Sequence, residues 1–169
     1  MKTVIVLAMH GSPPLDFPGE DLAEFFTLHA RFEHAPVPAA SAAAVRYCEL
    51  ETKMRRWPRS PANDPFHAGS ERLVSELGKA CGCEVILGFN EFCAPTLDEA
   101  LDQAAEGAPD RVVVITPMMT PGGEHSERDI PASIGRARKR HPGMTYVYAW
   151  PFPVADVAEF LASHISKVP

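Results

Sequence analysis

Nowhere is the 169-residue chain apolar for long enough to cross a bilayer as a helix, so a membrane partner is not expected. Positive charge is in deficit, with 16 Lys and Arg against 22 Asp and Glu and a net charge of −6. A protein that coats phosphates carries a basic field, so nucleic acid is not an expected partner either. A small polyanion remains compatible, because a local basic pocket does not require a basic protein. No Gly-x-Gly-x-x-Gly and no Walker-type lysine are present, which argues against a nucleotide cradle at Gly11-Ser12 or Gly122-Gly123. Cysteine is scarce: Cys48, Cys81, Cys83 and Cys93. Cys81-x-Cys83 is not a zinc spacing and has no second pair, so all four read as free thiols, buried or half-buried, in a reducing compartment. The opening lysine and apolar run from Val4 to Met9 are too short for a signal core, and no small-residue cleavage site follows. The run is expected to be a buried strand, and the location cytoplasmic.

Three runs rich in Val, Ile and Leu, at Thr3–Met9, Glu84–Phe89 and residues 111–118, read as strands covered on both faces. Residues 145–150 form a weaker fourth. Helical patterns lie between them. Residues 70–80 place Leu73, Val74 and Leu77 on one stripe, and residues 95–105 open with proline and carry Leu97, Ala100, Leu101 and Ala104. Residues 127–141 end in Arg136, Arg138, Lys139 and Arg140, which suits the negative end of a helix dipole. A last helix is expected over Val154–Ile165. Strand alternating with helix predicts a single three-layer α/β domain, residues 1–169, with a central parallel sheet and right-handed crossovers. Residues 13–58 break the rhythm. Leu22, Phe25, Phe26, His29 and Phe32 fall near helical spacing, as do Tyr47, Leu50, Met54 and Trp57, with a proline-rich breaker at residues 34–38 between them. That pattern predicts an inserted helical hairpin packed on the core or across the cleft.

In an open parallel sheet, ligands bind beyond the carboxyl ends of the strands. The first strand ends in His10-Gly11-Ser12, the second in Asn90-Glu91, and the third leads through Gly122-Gly123-Glu124 to His125. Each thus delivers a histidine or a carboxylate to one edge, beside glycines that let the backbone turn or approach a ligand. Two imidazoles and a carboxylate suit a mid-to-late first-row divalent metal and leave coordination positions open, as a transferring site requires. The bland alternative, histidines that only hydrogen-bond their loops, stands beside this reading. His29 and His34 are poorly spaced for one helix face, His141 and His164 sit near helix ends, and His67 borders the expected pocket region.

Several strings together resemble the CbiX-type class II chelatases: Val4–Ser12 ending in His10-Gly11-Ser12, Arg59-Ser60-Pro61-Ala62-Asn63, Gly88-Phe89-Asn90-Glu91, Pro95-Thr96-Leu97-Asp98-Glu99-Ala100-Leu101 and, most specifically, Gly123-Glu124-His125 followed by Asp129-Ile130-Pro131. The resemblance covers the first twelve residues and nearly everything after Arg59. It departs from the family pattern in residues 13–58, in Pro117-Met118-Met119-Thr120 and in Pro151-Phe152-Pro153-Val154. It implies a sirohydrochlorin cobaltochelatase or ferrochelatase of cobalamin or siroheme biosynthesis, with a metal held by His10 and His125 and with Glu91 lining the site. His10, His125 and Glu91 would then be the catalytic residues. The divalent metal (cobalt, iron or nickel) and a carboxylate-rich tetrapyrrole would be substrates, with no tightly bound cofactor. Longer relatives contain two similar halves, so a chain matching one half is expected to pair as a homodimer. A non-catalytic metal or tetrapyrrole carrier on the same fold is the alternative, since fold alone does not prove activity. A structural module whose hairpin recruits a partner is a third reading.

Overall fold

The computed structural model describes residues 1–34, 38 and 40–169. The breaker at residues 34–38 falls largely outside them. The elements run β1 (Thr3–Met9), α1 (Gly19–His34), α2 (Ala42–Arg55), α3 (Pro65–Cys81), β2 (Glu84–Phe89), α4 (Leu97–Glu106), β3 (Arg111–Ile115), a π-helical turn (His125–Asp129), α5 (Ile130–Arg140), β4 (Tyr146–Tyr148) and α6 (Val154–Ile165). The four strands form one sheet in the order β2-β1-β3-β4, and each neighbouring pair is parallel. The expected α/β class with a central parallel sheet is therefore correct. The register aligns Met9 with Phe89 and Leu7 with Ile115, so β1, β2 and β3 finish on the same edge.

The sheet is covered on both sides, and the alternation of side chains along the strands sorts them into two cores. Val4, Val6, Ala8, Val112 and Val114 face one way and meet Leu97, Leu101 and Ala104 of α4 and Ile130, Ile134 and Ala137 of α5. Leu7, Met9 and Phe89 face the other way, onto Phe25 of α1, Leu50 and Met54 of α2, and the half-buried Val74 and Leu77 of α3. Burying a large apolar side chain contributes roughly 1.5–3 kcal/mol, so the α1–α2 stripes are a substantial part of the second core. The two helices are also joined across their outer faces. Arg46 donates to Glu24 at 2.7 Å and to Asp21 at 3.2 Å.

Several boundaries differ from those read in the sequence. The third strand stops at Ile115 rather than 118, because Pro117 has no N–H to continue the ladder. The fully buried Thr116 hydroxyl instead accepts from the Met118 amide at 3.3 Å. Helix α3 begins at Pro65, well before residue 70, because Asp64 caps it by accepting the His67 amide at 2.8 Å and proline is pre-set for a first turn. Cys48 and Cys81 are exposed, so only Cys83 and Cys93 fit the expected burial. Helix α6 forms where expected but buries none of its residues, leaving Val154, Phe160, Leu161 and Ile165 in solvent. Among the described residues, no helix is long and apolar enough to cross a membrane.

Candidate metal centre

His10 and Glu91 reach the carboxyl edge of the sheet as a joined pair. Beyond the last strand residues the ladder continues, with the Asn90 amide donating to the Met9 carbonyl and the Glu91 amide to the His10 carbonyl, both at 2.9 Å. Gly11 makes this approach possible. Its φ is +106°, and a Cβ there would lie 1.9 Å from the Glu91 carbonyl oxygen. The Gly11 carbonyl lies 3.0 Å from His10 Nδ1. With Nδ1–H donating to it, the Nε2 lone pair is left for another partner.

Arg59 locks the pair from below. It and Asp64 form an ion pair with side chains 9% and 1% exposed. The same guanidinium donates to the Ser12 carbonyl at 2.7 Å and to the Phe92 carbonyl at 2.6 Å. A single buried cation thus binds the loop after His10 and the loop after Glu91. Arg55 of α2 adds bonds to the Asn90 carbonyl at 3.2 Å and the Cys93 carbonyl at 2.9 Å. The Cys93 thiol is buried in the same joint, and burial pushes its pKa up, so it sits there as a neutral group.

His125 arrives differently. It opens the π-helical turn that precedes Pro131, a residue unable to donate to a carbonyl in the preceding turn. Such turns favour functional positions. Its Nδ1 lies 2.6 Å from Asp129, an imidazole–carboxylate pair that directs Nε2 toward Glu91, 3.9 Å away. The turn and the segment leading to it are held from β4 and the residues after it. Tyr148 donates to the Ser126 carbonyl and Trp150 to the Met118 carbonyl, each at 3.0 Å. Burial pushes the Tyr148 phenol up to about 12, so it remains a donor.

The three expected residues therefore meet. The rings of His10 and His125 stand edge to face with centroids 4.5 Å apart. One potential ligand atom from each of His10, Glu91 and His125 lies within 4.8 Å of the others. His10 is exposed, while Glu91 and His125 are half-buried, so the group opens to solvent on one side. Beside it lies a cavity of about 310 Å³ lined in part by Arg55, Asn90, Glu91, Asp129, Ser133 and Arg136.

His29, His67 and His141 stand apart from this group. His67 stacks on Phe89 at 5.3 Å and borders a separate cavity on the β2 edge. His141 pairs with Asp102 at 2.8 Å, and His29 with the Tyr47 hydroxyl at 3.0 Å. Reasoning from sequence missed the positioning groups Arg59, Asp64, Tyr148 and Trp150, which, the Arg59–Asp64 pair apart, bind residues remote in the chain. Asp129, four residues after His125, carried a readable signal, since residues at that spacing share a helix face.

Residues 63–167 match the pattern of the CbiX family, and this stretch is well over half of the chain. The chain belongs to the CbiX family. A sirohydrochlorin cobaltochelatase of Methanopyrus kandleri is 44% identical over 62 residues, covering 37% of this chain and 41% of that protein. In three dimensions the chain is similar to the sirohydrochlorin chelatase SirB of Bacillus subtilis subspecies spizizenii in complex with cobalt. There the TM-score is 0.49 and the identity 16%, with 99% of this chain and 51% of that one covered. A CbiX protein of Marinobacter aquaeolei gives a TM-score of 0.47 at 18% identity, with 98% and 99% covered. The chain thus spans about half the length of SirB, and its match to the Methanopyrus protein spans less than half of that protein. The family match begins at residue 63, after both α1 and α2.

Proposed function

We propose that this protein is a class II chelatase that inserts a divalent metal, cobalt or iron, into sirohydrochlorin. The observation that carries the reading is the meeting of His10, Glu91 and His125 at the carboxyl edge of the sheet, with potential ligand atoms within 4.8 Å. Insertion requires that the metal shed water and that two pyrrole N–H bonds lose their protons as two metal–nitrogen bonds form in their place. His10 and His125 hold the incoming ion through Nε2. An imidazole released by the metal is a proton acceptor, and Glu91 is a second acceptor or an orienting ligand. Few protein ligands and an open side favour handing the metal to the macrocycle. Metal and macrocycle are both substrates, and the reaction needs no resident cofactor.

The chain is read as one chelatase unit, residues 1–169, with residues 13–58 as a helical insertion. It works in the cytoplasm, where four unpaired cysteines are at home. It pairs as a homodimer. Support comes from α6, whose Phe160, Leu161 and Ile165 are each more than half exposed, an apolar surface that a second copy would cover.

The test is an anaerobic absorbance assay of metal insertion into sirohydrochlorin, with cobalt(II), iron(II) and nickel(II) in turn. Turnover is expected with at least one metal. A positioned acid–base group contributes roughly 10²–10⁴-fold, so His10→Ala and His125→Ala should each lower the rate at least about tenfold over the spontaneous background. A parent that binds metal or macrocycle without turnover would establish the carrier function instead. A folded double variant running at the parent rate would remove these residues from the mechanism.

A further inference from the structure

An aromatic ridge runs from the metal centre into the α1–α2 hairpin. The His10 ring stacks against Phe92 with centroids 6.0 Å apart and planes 19° apart. Phe92 in turn meets two residues of α1, Phe25 edge to face and Phe26 at a tilt, both at 6.0 Å. Phe25 and Phe92 are buried, at 2% and 9% exposed, and they explain themselves as core. Phe26 does not, because 43% of it lies in solvent on the same ridge.

The hairpin is held firmly enough to present that ring. Leu50 and Met54 of α2 are buried under it, and Arg46 and Lys53 of α2 pair with Asp21 of α1. Phe92 itself is fixed by the bond from Arg59 to its carbonyl. The cavity beside the triad, about 310 Å³, is at the small end for an organic ligand. A tetrapyrrole is broad and flat, so its ring must lie across the open surface around His10, with only part of its periphery inside the cavity. Of the phenylalanine rings on that ridge, Phe26 is the one open to solvent.

We propose that Phe26, backed by Phe92, forms an aromatic ledge on which the macrocycle packs while its centre faces the metal at His10 and His125. Helix α1 lies outside the stretch matched by the CbiX family, and the ledge adds a specificity element to the site from there. The inference rests on the chelatase reading and adds a residue that selects the organic substrate without touching the metal. An aromatic ring suits the task because a conjugated face gains from offset or edge-on ring contact in addition to area burial.

The experiment compares the parent with Phe26→Ala and Phe26→Trp, each checked for parental circular dichroism and melting temperature. Two quantities are read: the KM for sirohydrochlorin at saturating cobalt(II), and the cobalt(II) affinity of the protein alone from its visible absorption. Loss of one stacking ring weakens a planar ligand by roughly five- to thirtyfold, so the KM of Phe26→Ala should rise by that factor, with cobalt affinity unchanged. Phe26→Trp should keep the KM near or below the parent value. An active parent with an unaltered KM in Phe26→Ala overturns the ledge and leaves the chelatase reading standing. A fall in cobalt affinity equal to the rise in KM overturns it too, by showing that Phe26 acts through His10. A parent that neither binds nor turns over the macrocycle overturns both readings.

Discussion

The two histidines of the candidate metal centre are held by contrasting means. His10 belongs to the sheet. Backbone bonds extend the β1–β2 ladder through His10 and Glu91, a glycine lets the loops touch, and the buried Arg59–Asp64 pair ties them together. His125 belongs to a helix start. It depends on one carboxylate for its orientation and on two aromatic side chains, Tyr148 and Trp150, that reach across from another part of the chain. One half is built of main chain and cannot move without breaking the sheet. The other is held by side chains, through Asp129, Tyr148 and Trp150.

The contrast is testable by breaking each half at its own joint. The largest effect is expected from Gly11→Ala, whose added methyl would meet the Glu91 carbonyl at 1.9 Å in a backbone conformation unfavourable to alanine. A loss of about 4 kcal/mol or more in urea unfolding is expected, in the range reserved for a clear structural conflict. Gly122 in the His125 half also has positive φ, at +95°, but open space around it. Gly122→Ala should therefore cost only about 1–2 kcal/mol, the penalty of the left-handed conformation alone. Equal losses at the two positions would mean that steric contact does not hold the His10 half together.

Next comes Arg59→Ala, which leaves the Asp64 carboxylate buried and strips the donor from the Ser12 and Phe92 carbonyls. Removing one partner of a buried pair costs about 3–5 kcal/mol. A double variant, Arg59→Met with Asp64→Asn, should recover part of that loss, and a double variant no better than Arg59→Ala would refute the buried-charge explanation.

Asp129→Asn probes the other half with little effect on stability, because that carboxylate is about half exposed. An orienting partner of a metal-binding imidazole is worth about 10–100-fold in affinity. Cobalt(II) titration should show a drop of that size, with the unfolding midpoint unchanged. Unaltered affinity would mean that His125 is oriented by its turn alone.

The smallest effect concerns acid. Asp98 of α4 holds Arg136 and Arg140 of α5, the helix that continues from the His125 turn. Burial alone would raise its pKa, but the two guanidinium groups outweigh that and leave it below the ordinary 3.8. A group depressed in the folded state stabilises above its unfolded value, and that contribution disappears as pH falls through the folded one. Melting temperatures of the parent and Asp98→Asn, followed from about pH 6 to about pH 3, should converge toward the acid end. A constant gap would show that Asp98 acts through uncharged hydrogen bonds.

The legible parts of this molecule were those whose cause is local or periodic. Unbroken apolar runs marked β1 and β2, and the amphipathic stripes of Phe25 and Met54 marked the hairpin. Given parallel strands, His10 and Glu91 followed from their positions at the strand ends, and His125 from the loop that leaves the third strand. What sequence hid was long-range. Arg59 looks like an ordinary loop arginine until folding brings Ser12, Asp64 and Phe92 around it. Tyr148 and Trp150 look like core aromatics until their polar ends are seen reaching the His125 segment. The early start of α3 turned on one capping aspartate and one proline, a signal present in the sequence but outweighed by the apolar stripe that begins later.

The bond from Arg59 to the Ser12 carbonyl spans 47 residues, and the Leu15 amide meets the Asn63 carbonyl at 2.7 Å beside it. The hairpin therefore leaves and rejoins the sheet through one narrow neck. Closing a longer loop at a fixed neck costs little, about 0.6 kcal/mol for each doubling of its length. The solvent-facing positions of α1 and α2 can therefore change over evolutionary time while Phe25, Leu50 and Met54 stay packed and His10 and Glu91 keep their spacing. Exposed positions of the hairpin, Phe26 among them, can thus be retuned without disturbing the backbone joint beneath His10 and Glu91.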